Sequence, residues 1–85
     1  MLDKLGSADS AAATKRLSLC VGKNIRQARS RRRISQTELG HALGIEESLI
    51  ADYEAGLQKV SPMMLYRIAV TLDTTLASLF GMPGS

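Results

Sequence analysis

The sequence predicts an all-α domain of five helices, and three observations support this prediction. Apolar residues recur at intervals of three or four in successive segments, as they do on one face of a helix. Serine or threonine stands directly before several of these segments, where helices begin. No stretch alternates apolar and polar residues as a half-buried strand does. A length of 85 residues limits the chain to one small domain.

The first helix is predicted to begin at Leu17, because four apolar residues from there on form one stripe. These residues are Leu17, Val21, Ile25 and Ala28. Residues 1–16, MLDKLGSADSAAATKR, show little apolar periodicity, and we predict a flexible N-terminal arm for them. The folded domain is then expected to span residues 17–81, with a frayed tail over 82–85.

Two short helices joined by a tight turn are predicted next. Ser35 and Glu38 have the spacing of a capping box, so the second helix begins there, and Gly44 has the position of a left-handed residue that ends it. Its inner face holds Leu39 and Leu43. A third helix is predicted from Glu46 to Ala55, with Ile50 and Tyr53 as its apolar face. Gly40, inside the second helix, indicates that another backbone approaches closely.

The last two helices are marked by their caps and their apolar faces. Ser61 followed by Pro62 is typical of a helix start, and the face that follows contains Leu65, Ile68, Ala69 and Leu72. Residues 73–75 break the pattern and offer a cap. A final short helix, with Leu76, Leu79 and Phe80 on its apolar side, is predicted to end at Gly81.

Charge is distributed unevenly along the chain. Residues 1–33 hold nine Lys or Arg and two Asp, a net charge of +7, whereas residues 34–85 hold two Lys or Arg and six Asp or Glu, a net charge of −4. This asymmetry predicts that the first third contributes most of a nucleic-acid contact surface. Arg31, Arg32 and Arg33 are predicted to contact phosphates, although a solvated helix end is the plain alternative.

Composition argues against several other classes of protein. Cys20 and His41 are the single cysteine and histidine, so no internal disulfide, zinc-site spacing or catalytic set can be assembled, and we expect no enzyme, metal or cofactor. No long apolar run and no leader-like segment marks the sequence for a membrane or for secretion. A cytoplasmic protein is therefore expected.

The residues resemble the Cro and phage-repressor family, the lambda-repressor-like or xenobiotic-response-element type of helix-turn-helix protein, over residues 21–80. The resemblance rests on VGKNIRQAR, on SQTELGHALGI, on Ile50, Tyr53-Glu54 and Gly56, and on LYRIAVTLDTTLASLF. It implies a five-helix domain, common among bacterial regulators, that binds double-stranded DNA and regulates transcription. Such a protein is usually a homodimer whose third helix enters the major groove.

The family resemblance also implies roles for individual residues. Exposed positions of helix 46–55 would contact bases, and they are Glu47, Ser48, Leu49 and Asp52. Gln36 at the start of the second helix and Lys59 in the later loop would meet phosphates. Arg29 and Glu54 match a partly buried ion pair between the first and third helices. Dimer contacts are expected at Leu76, Phe80 and Met82, which otherwise close the core.

The acids of the third helix leave two interpretations open. Glu46 and Glu47 would stabilise a helix N-terminus through its dipole whether or not DNA binds. Alternatively, Glu47 or Asp52 would accept a hydrogen bond from the N4 amino group of cytosine. The corresponding alternative function is an antitoxin-like or co-regulator module whose acidic helix docks on a partner protein.

Overall fold

In a computed structural model of the chain, residues 11–82 are described, and they form five helices and no strand. The helices are α1 (Ala11–Arg31), α2 (Gln36–Leu43), α3 (Glu47–Ala55), α4 (Pro62–Thr71) and α5 (Leu76–Leu79). This architecture confirms the prediction of an all-α, five-helix domain.

The start of α1 differs from the prediction. The helix begins at Ala11 rather than at Leu17, because the run of alanines from Ala11 to Ala13 has the highest intrinsic helix propensity and needs no apolar face to be helical. Val21, Ile25 and Ala28 are buried as predicted, but Leu17 is 50 % exposed. The flexible arm predicted for residues 1–16 is therefore wrong for residues 11–16, and its first ten residues lie outside the described part.

Helix caps bound α2 as the sequence predicted. Ser35 Oγ accepts a hydrogen bond from the Glu38 backbone, while the Ser35 N–H donates to Glu38 Oε1, which is the reciprocal capping box. Gly44 ends the helix with φ of 71°, in the left-handed region that glycine adopts without a steric penalty.

The later helices also begin at capping side chains. Ser61 Oγ accepts from the Met64 backbone with Pro62 in the first turn, and Thr75 Oγ1 accepts from the Ser78 backbone. By contrast, Glu46 precedes α3 without any side-chain cap hydrogen bond.

One hydrophobic core joins all five helices. Its most deeply buried side chains are Ile25, Leu39, Ile50, Ile68, Leu72 and Leu79. Each helix contributes at least one of them, so the apolar faces inferred from spacing do converge. Among the described residues, no helix combines the length and the hydropathy that a membrane span requires.

Hydrogen bonds fix the ends of helices to one another. Arg67 donates to the Leu43 carbonyl at 2.9 Å, which ties α4 to the end of α2. Asn24 Nδ2 donates to the Leu79 carbonyl at 2.9 Å, which ties α1 to the end of α5.

The C-terminal residues predicted at a dimer contact are partly exposed: Phe80 is 38 % exposed and Met82 61 %. Residues 83–85 of the predicted frayed tail lie outside the described part.

Candidate nucleic-acid interface

The Glu54 carboxylate, near the end of α3, connects the first three helices. Arg29 on α1 donates to it twice, from Nε to Oε2 at 2.7 Å and from Nη2 to Oε1 at 2.9 Å. Gln36, the first residue of α2, donates from Nε2 to Oε1 at 3.0 Å. The Arg29 and Glu54 side chains are only 14 % and 5 % exposed. The orientation of α3 is thus set by charge-assisted hydrogen bonds from both preceding helices.

The environment keeps Glu54 ionised. Burial raises the pKa of Glu54, but the hydrogen bonds from Arg29 and Gln36 and the positive charges of Arg29 and Arg26 outweigh it, so the pKa lies below its ordinary value of 4.5. The hydrogen bond to Glu54 in turn raises the pKa of Arg29. Both groups are therefore charged near neutral pH, as a hydrogen-bonded buried pair requires.

Two glycines allow helices to approach α3 closely. A Cβ atom on Gly22 of α1 would lie 2.3 Å from the Tyr53 carbonyl oxygen, and one on Gly40 of α2 would lie 2.9 Å from the Ile45 carbonyl oxygen. The close backbone approach predicted from Gly40 is confirmed, although the nearest backbone is the turn that leads into α3 and not a crossing helix. Only the family resemblance indicates a role for Gly22, because nothing in its local sequence reveals a contact with Tyr53, 31 residues later.

The four predicted base-contacting residues fall into two groups. Glu47 and Ser48, in the first turn of α3, are exposed. Leu49 and Asp52 are partly buried, and Leu49 packs against the hydrophobic core. The description of Leu49 and Asp52 as exposed positions is therefore wrong. For Leu49 the reason is that an apolar side chain next to Ile50 gains free energy by leaning toward the core.

Neighbouring hydroxyls orient the exposed acids of α3. Thr37 Oγ1, in the first turn of α2, donates to Glu47 Oε1 at 2.7 Å. Ser48 Oγ donates to Glu46 Oε2 at 3.4 Å. Sequence reasoning missed Thr37, because a donor ten residues away on another short helix leaves no periodic signal. These bonds orient the Glu47 carboxylate and the Ser48 hydroxyl at the start of α3.

The three consecutive arginines do not share one environment. Arg32 donates through Nε to the Leu72 carbonyl at 3.2 Å and also pairs with the Asp73 carboxylate, so its guanidinium is occupied at the loop before α5. Arg31 and Arg33 are exposed, and neither forms an ion pair with any residue from 11 to 82. Arg33 adopts a positive φ of 56° in the turn leading to α2.

The remaining predicted phosphate contacts lie at two places. Gln36 is partly buried at the start of α2, where its amide donates to Glu54 and braces α3. Lys59 is exposed in the connection before α4, where it lines a groove with Thr14 and Ser18 of α1.

No group of three or more metal-ligating side chains occurs within residues 11–82. His41 is exposed on α2. Cys20 is a free, exposed thiol 3.9 Å from the Phe80 carbonyl oxygen. The Cys20 thiol and the His41 ring thus lie on separate helices, α1 and α2.

Comparison with known proteins shows the family to which this chain belongs. The helix-turn-helix family HTH_3, of the Cro/C1 type, matches residues 25–79, which is more than half of the chain. The chain belongs to this family, a family of non-enzymatic DNA-binding proteins. The family resemblance noted in the sequence is thereby confirmed.

Two curated proteins and one solved structure are similar to this chain. Multiprotein-bridging factor 1 of Debaryomyces hansenii and that of Candida albicans are each 33 % identical over 75 residues, covering 88 % of this chain but 50 % of the relative. The chain thus spans about half the length of these curated relatives. The crystal structure of the restriction-modification controller protein C.AhdI from Aeromonas hydrophila matches with a TM-score of 0.69 and 26 % identity, covering 73 % of this chain and 94 % of that one. The family model and the structural neighbour both agree with the helix-turn-helix fold described above.

Proposed function

We propose that this chain is a sequence-specific regulator of transcription that binds duplex DNA as a homodimer, with α3 in the major groove of each half-site. The observation that supports this most strongly is the exposed first turn of α3. Glu47 and Ser48 face outward there, on a helix that Arg29 and Gln36 hold in place through Glu54. A reading helix must be both exposed and rigidly seated to discriminate base edges.

Glu47 is proposed to read cytosine. Its Oε1 is held by Thr37, and its Oε2 accepts no hydrogen bond from the residues that the structure describes. A carboxylate oxygen held in this way suits the N4 amino group of cytosine, which is a donor in the major groove. Ser48, with a rotatable hydroxyl, can donate to or accept from an adjacent base edge. Leu49 and Asp52 stay secondary candidates because they are partly buried.

Phosphate contacts are assigned to the exposed cations that border this helix. Arg31 and Arg33 precede α2 and lack ion-pair partners between residues 11 and 82, while Lys59 follows α3 in the connection. Their charges would offset the repulsion between the α3 acids and the DNA backbone. Gln36 is proposed to contact a phosphate while bracing Glu54. Arg32 is the weakest of the predicted phosphate contacts, since Leu72 and Asp73 already hold it.

Selection of bound fragments from a random duplex pool tests this function. We expect an enriched motif with two-fold symmetry, because a symmetric dimer places the same helix on both half-sites. A pool that stays random after repeated rounds, at a salt concentration where the chain still binds duplex, would exclude sequence-specific readout. An enriched motif without symmetry would retain the DNA-reading role and exclude the dimer.

A second candidate function is a co-regulator that binds a partner protein through the acidic face of α3. It is supported by the relatives whose name is multiprotein-bridging factor 1 and by three acids at one short helix, namely Glu46 directly before α3 and Glu47 and Asp52 within it. Such a module would show weak DNA affinity with no sequence preference at moderate salt. It would bind a basic partner protein instead, and Glu47→Gln would weaken that complex.

A further inference from the structure

A groove with one apolar end and one cationic end lies between α1 and the segment that leads into α4. Its apolar part is a cavity of about 220 Å³, whose walls include Leu17, Val21, Val60, Leu65, Leu76 and Phe80. A more polar part adjoins it through Thr14, Ser18 and Lys59, and also includes Lys15. We call the whole the lysine-rimmed groove.

Apolar surface in this groove is left open by the fold. Leu17 is 50 % exposed, Leu76 39 % and Phe80 38 %, although all three border one cavity. Exposed apolar side chains that line one cavity and are rimmed by charged residues offer a place where an apolar side chain of another polypeptide could be buried. One wall is the first half of α1, which precedes the family-matched residues 25–79. The other walls, Val60, Leu65 and Leu76, lie within the matched residues.

The volume of the cavity limits what can occupy it. Sites for small organic ligands usually enclose about 300–1,000 Å³, and the apolar part here has about 220 Å³. A cavity of roughly 150 Å³ holds one benzene-sized group. The apolar part is therefore of the size that receives one or two side chains of a docked polypeptide.

The positive charge at the rim of the groove favours a polypeptide that carries acidic residues. Lys15 and Lys59 form the cationic rim, and neither forms an ion pair with a residue of the described range 11–82. The dimer contacts predicted at Leu76 and Phe80 would use the same groove, so a second copy of this chain is the alternative occupant, and the oligomeric state distinguishes it from a partner helix. A segment that carries acids beside apolar side chains has the complementary charge.

We propose that the lysine-rimmed groove binds an acidic amphipathic helix of a partner protein. Two apolar side chains one turn apart would enter the cavity next to Leu17 and Phe80, and flanking carboxylates would meet Lys15 and Lys59. This goes beyond DNA binding, because the contact surface is formed by α1, α5 and the connection before α4 instead of by α3. Since Lys59 is also a proposed phosphate contact, DNA and the partner helix would compete at that side chain.

Binding of designed peptides to the full chain tests the proposal. The probe is a fluorescein-labelled helical peptide with Leu and Phe one turn apart between glutamates, and its matched control has lysines in place of the glutamates. We expect saturable binding of the acidic peptide and at least about tenfold weaker binding of the basic one, measured by fluorescence anisotropy. Equal binding of both peptides, or no binding of the acidic one, overturns the proposal.

Substitutions inside and outside the groove test whether the acidic peptide binds there. Leu17→Ser should weaken binding of the acidic peptide by about tenfold, because it removes one apolar wall. Val70→Ser, which alters an equally apolar residue that is 61 % exposed on α4 and does not line the groove, should leave binding unchanged. Circular dichroism checks that both variants fold, and DNA binding by Leu17→Ser should match that of the parent chain.

The oligomeric state shows whether a second copy of this chain, instead of a partner helix, occupies the groove. If sedimentation shows a dimer that Leu17→Ser dissociates and Val70→Ser does not, the groove is an interface between copies and the partner-helix proposal is wrong. A failure of the DNA selection described above would leave the peptide result unaffected, so the two proposals can fail separately.

Discussion

At the scale of single residues, the ion pair between Arg29 and Glu54 is the contact most sensitive to change. With side chains 14 % and 5 % exposed, the two charges are largely removed from water and depend on each other. Arg29→Met should lower the free energy of unfolding by about 3 kcal/mol, because it leaves a buried carboxylate unpaired. Urea denaturation measures this, and the double variant Arg29→Met with Glu54→Gln should recover part of the loss. If the losses of the two single variants add up in the double variant, the Arg29 and Glu54 side chains are not energetically coupled.

The same pair predicts how stability depends on pH. The pKa of Glu54 is lowered by folding, so its contribution is complete above the unfolded value of about 4.5 and is lost as pH falls through the lower native pKa. Parent chain and Glu54→Gln should therefore differ in unfolding free energy at neutral pH and converge in acid, because glutamine resembles the protonated carboxyl. A difference that stays constant down to strongly acidic pH would exclude this linkage.

Arg33 combines an unfavourable backbone conformation with an exposed charge. A positive φ of 56° costs an arginine more than a glycine, so Arg33→Gly should raise the free energy of unfolding by about 0.5–1 kcal/mol. If Arg33 contacts phosphate, the same change weakens DNA binding. Arg33→Ala is the matched control, since it removes the charge and keeps the strained conformation. Unchanged DNA affinity in both variants would show that the arginine only solvates the turn.

At the scale of helices, the seating of α3 depends on the close approach of α1. Gly22→Ala places a methyl group 2.3 Å from the Tyr53 carbonyl oxygen, and that oxygen belongs to backbone that cannot rotate away. We expect a loss of about 1–3 kcal/mol in urea denaturation. Gly40→Ala, with a nearest contact of 2.9 Å to the Ile45 carbonyl oxygen, should cost less. The reverse order would contradict the packing described for these helices.

Local signals made the helices predictable, whereas contacts distant in sequence did not. The capping box at Ser35 and the Ser61-Pro62 start act within one turn, so the sequence displays them directly. Arg32 was grouped with its neighbours because its bond to the Leu72 carbonyl spans 40 residues. Leu17 was expected in the core because its spacing fits the α1 stripe, but the elements facing it leave a groove open. For Arg32 and Leu17, the deciding atoms belong to another helix or loop.

At the scale of the whole molecule, cations should govern the salt dependence of DNA binding. Each phosphate contact that is lost should reduce the slope of log affinity against log salt by about one. Arg31→Ala and Arg33→Ala should therefore each flatten the salt dependence. Arg32→Ala should change it less, because Leu72 and Asp73 already hold that guanidinium. Equal effects of all three substitutions would contradict the distinction.

Readout of base pairs by the first turn of α3 is tested most directly by one comparison. Selection from a random duplex pool is carried out in parallel with the parent chain and with Glu47→Gln, which keeps the shape of the side chain and removes its charge. We expect the preferred base to change at one position of each half-site while the rest of the motif is kept, because glutamine favours adenine where the carboxylate favours cytosine. An identical motif for both proteins would contradict readout by Glu47, and no motif for either would contradict sequence-specific binding itself.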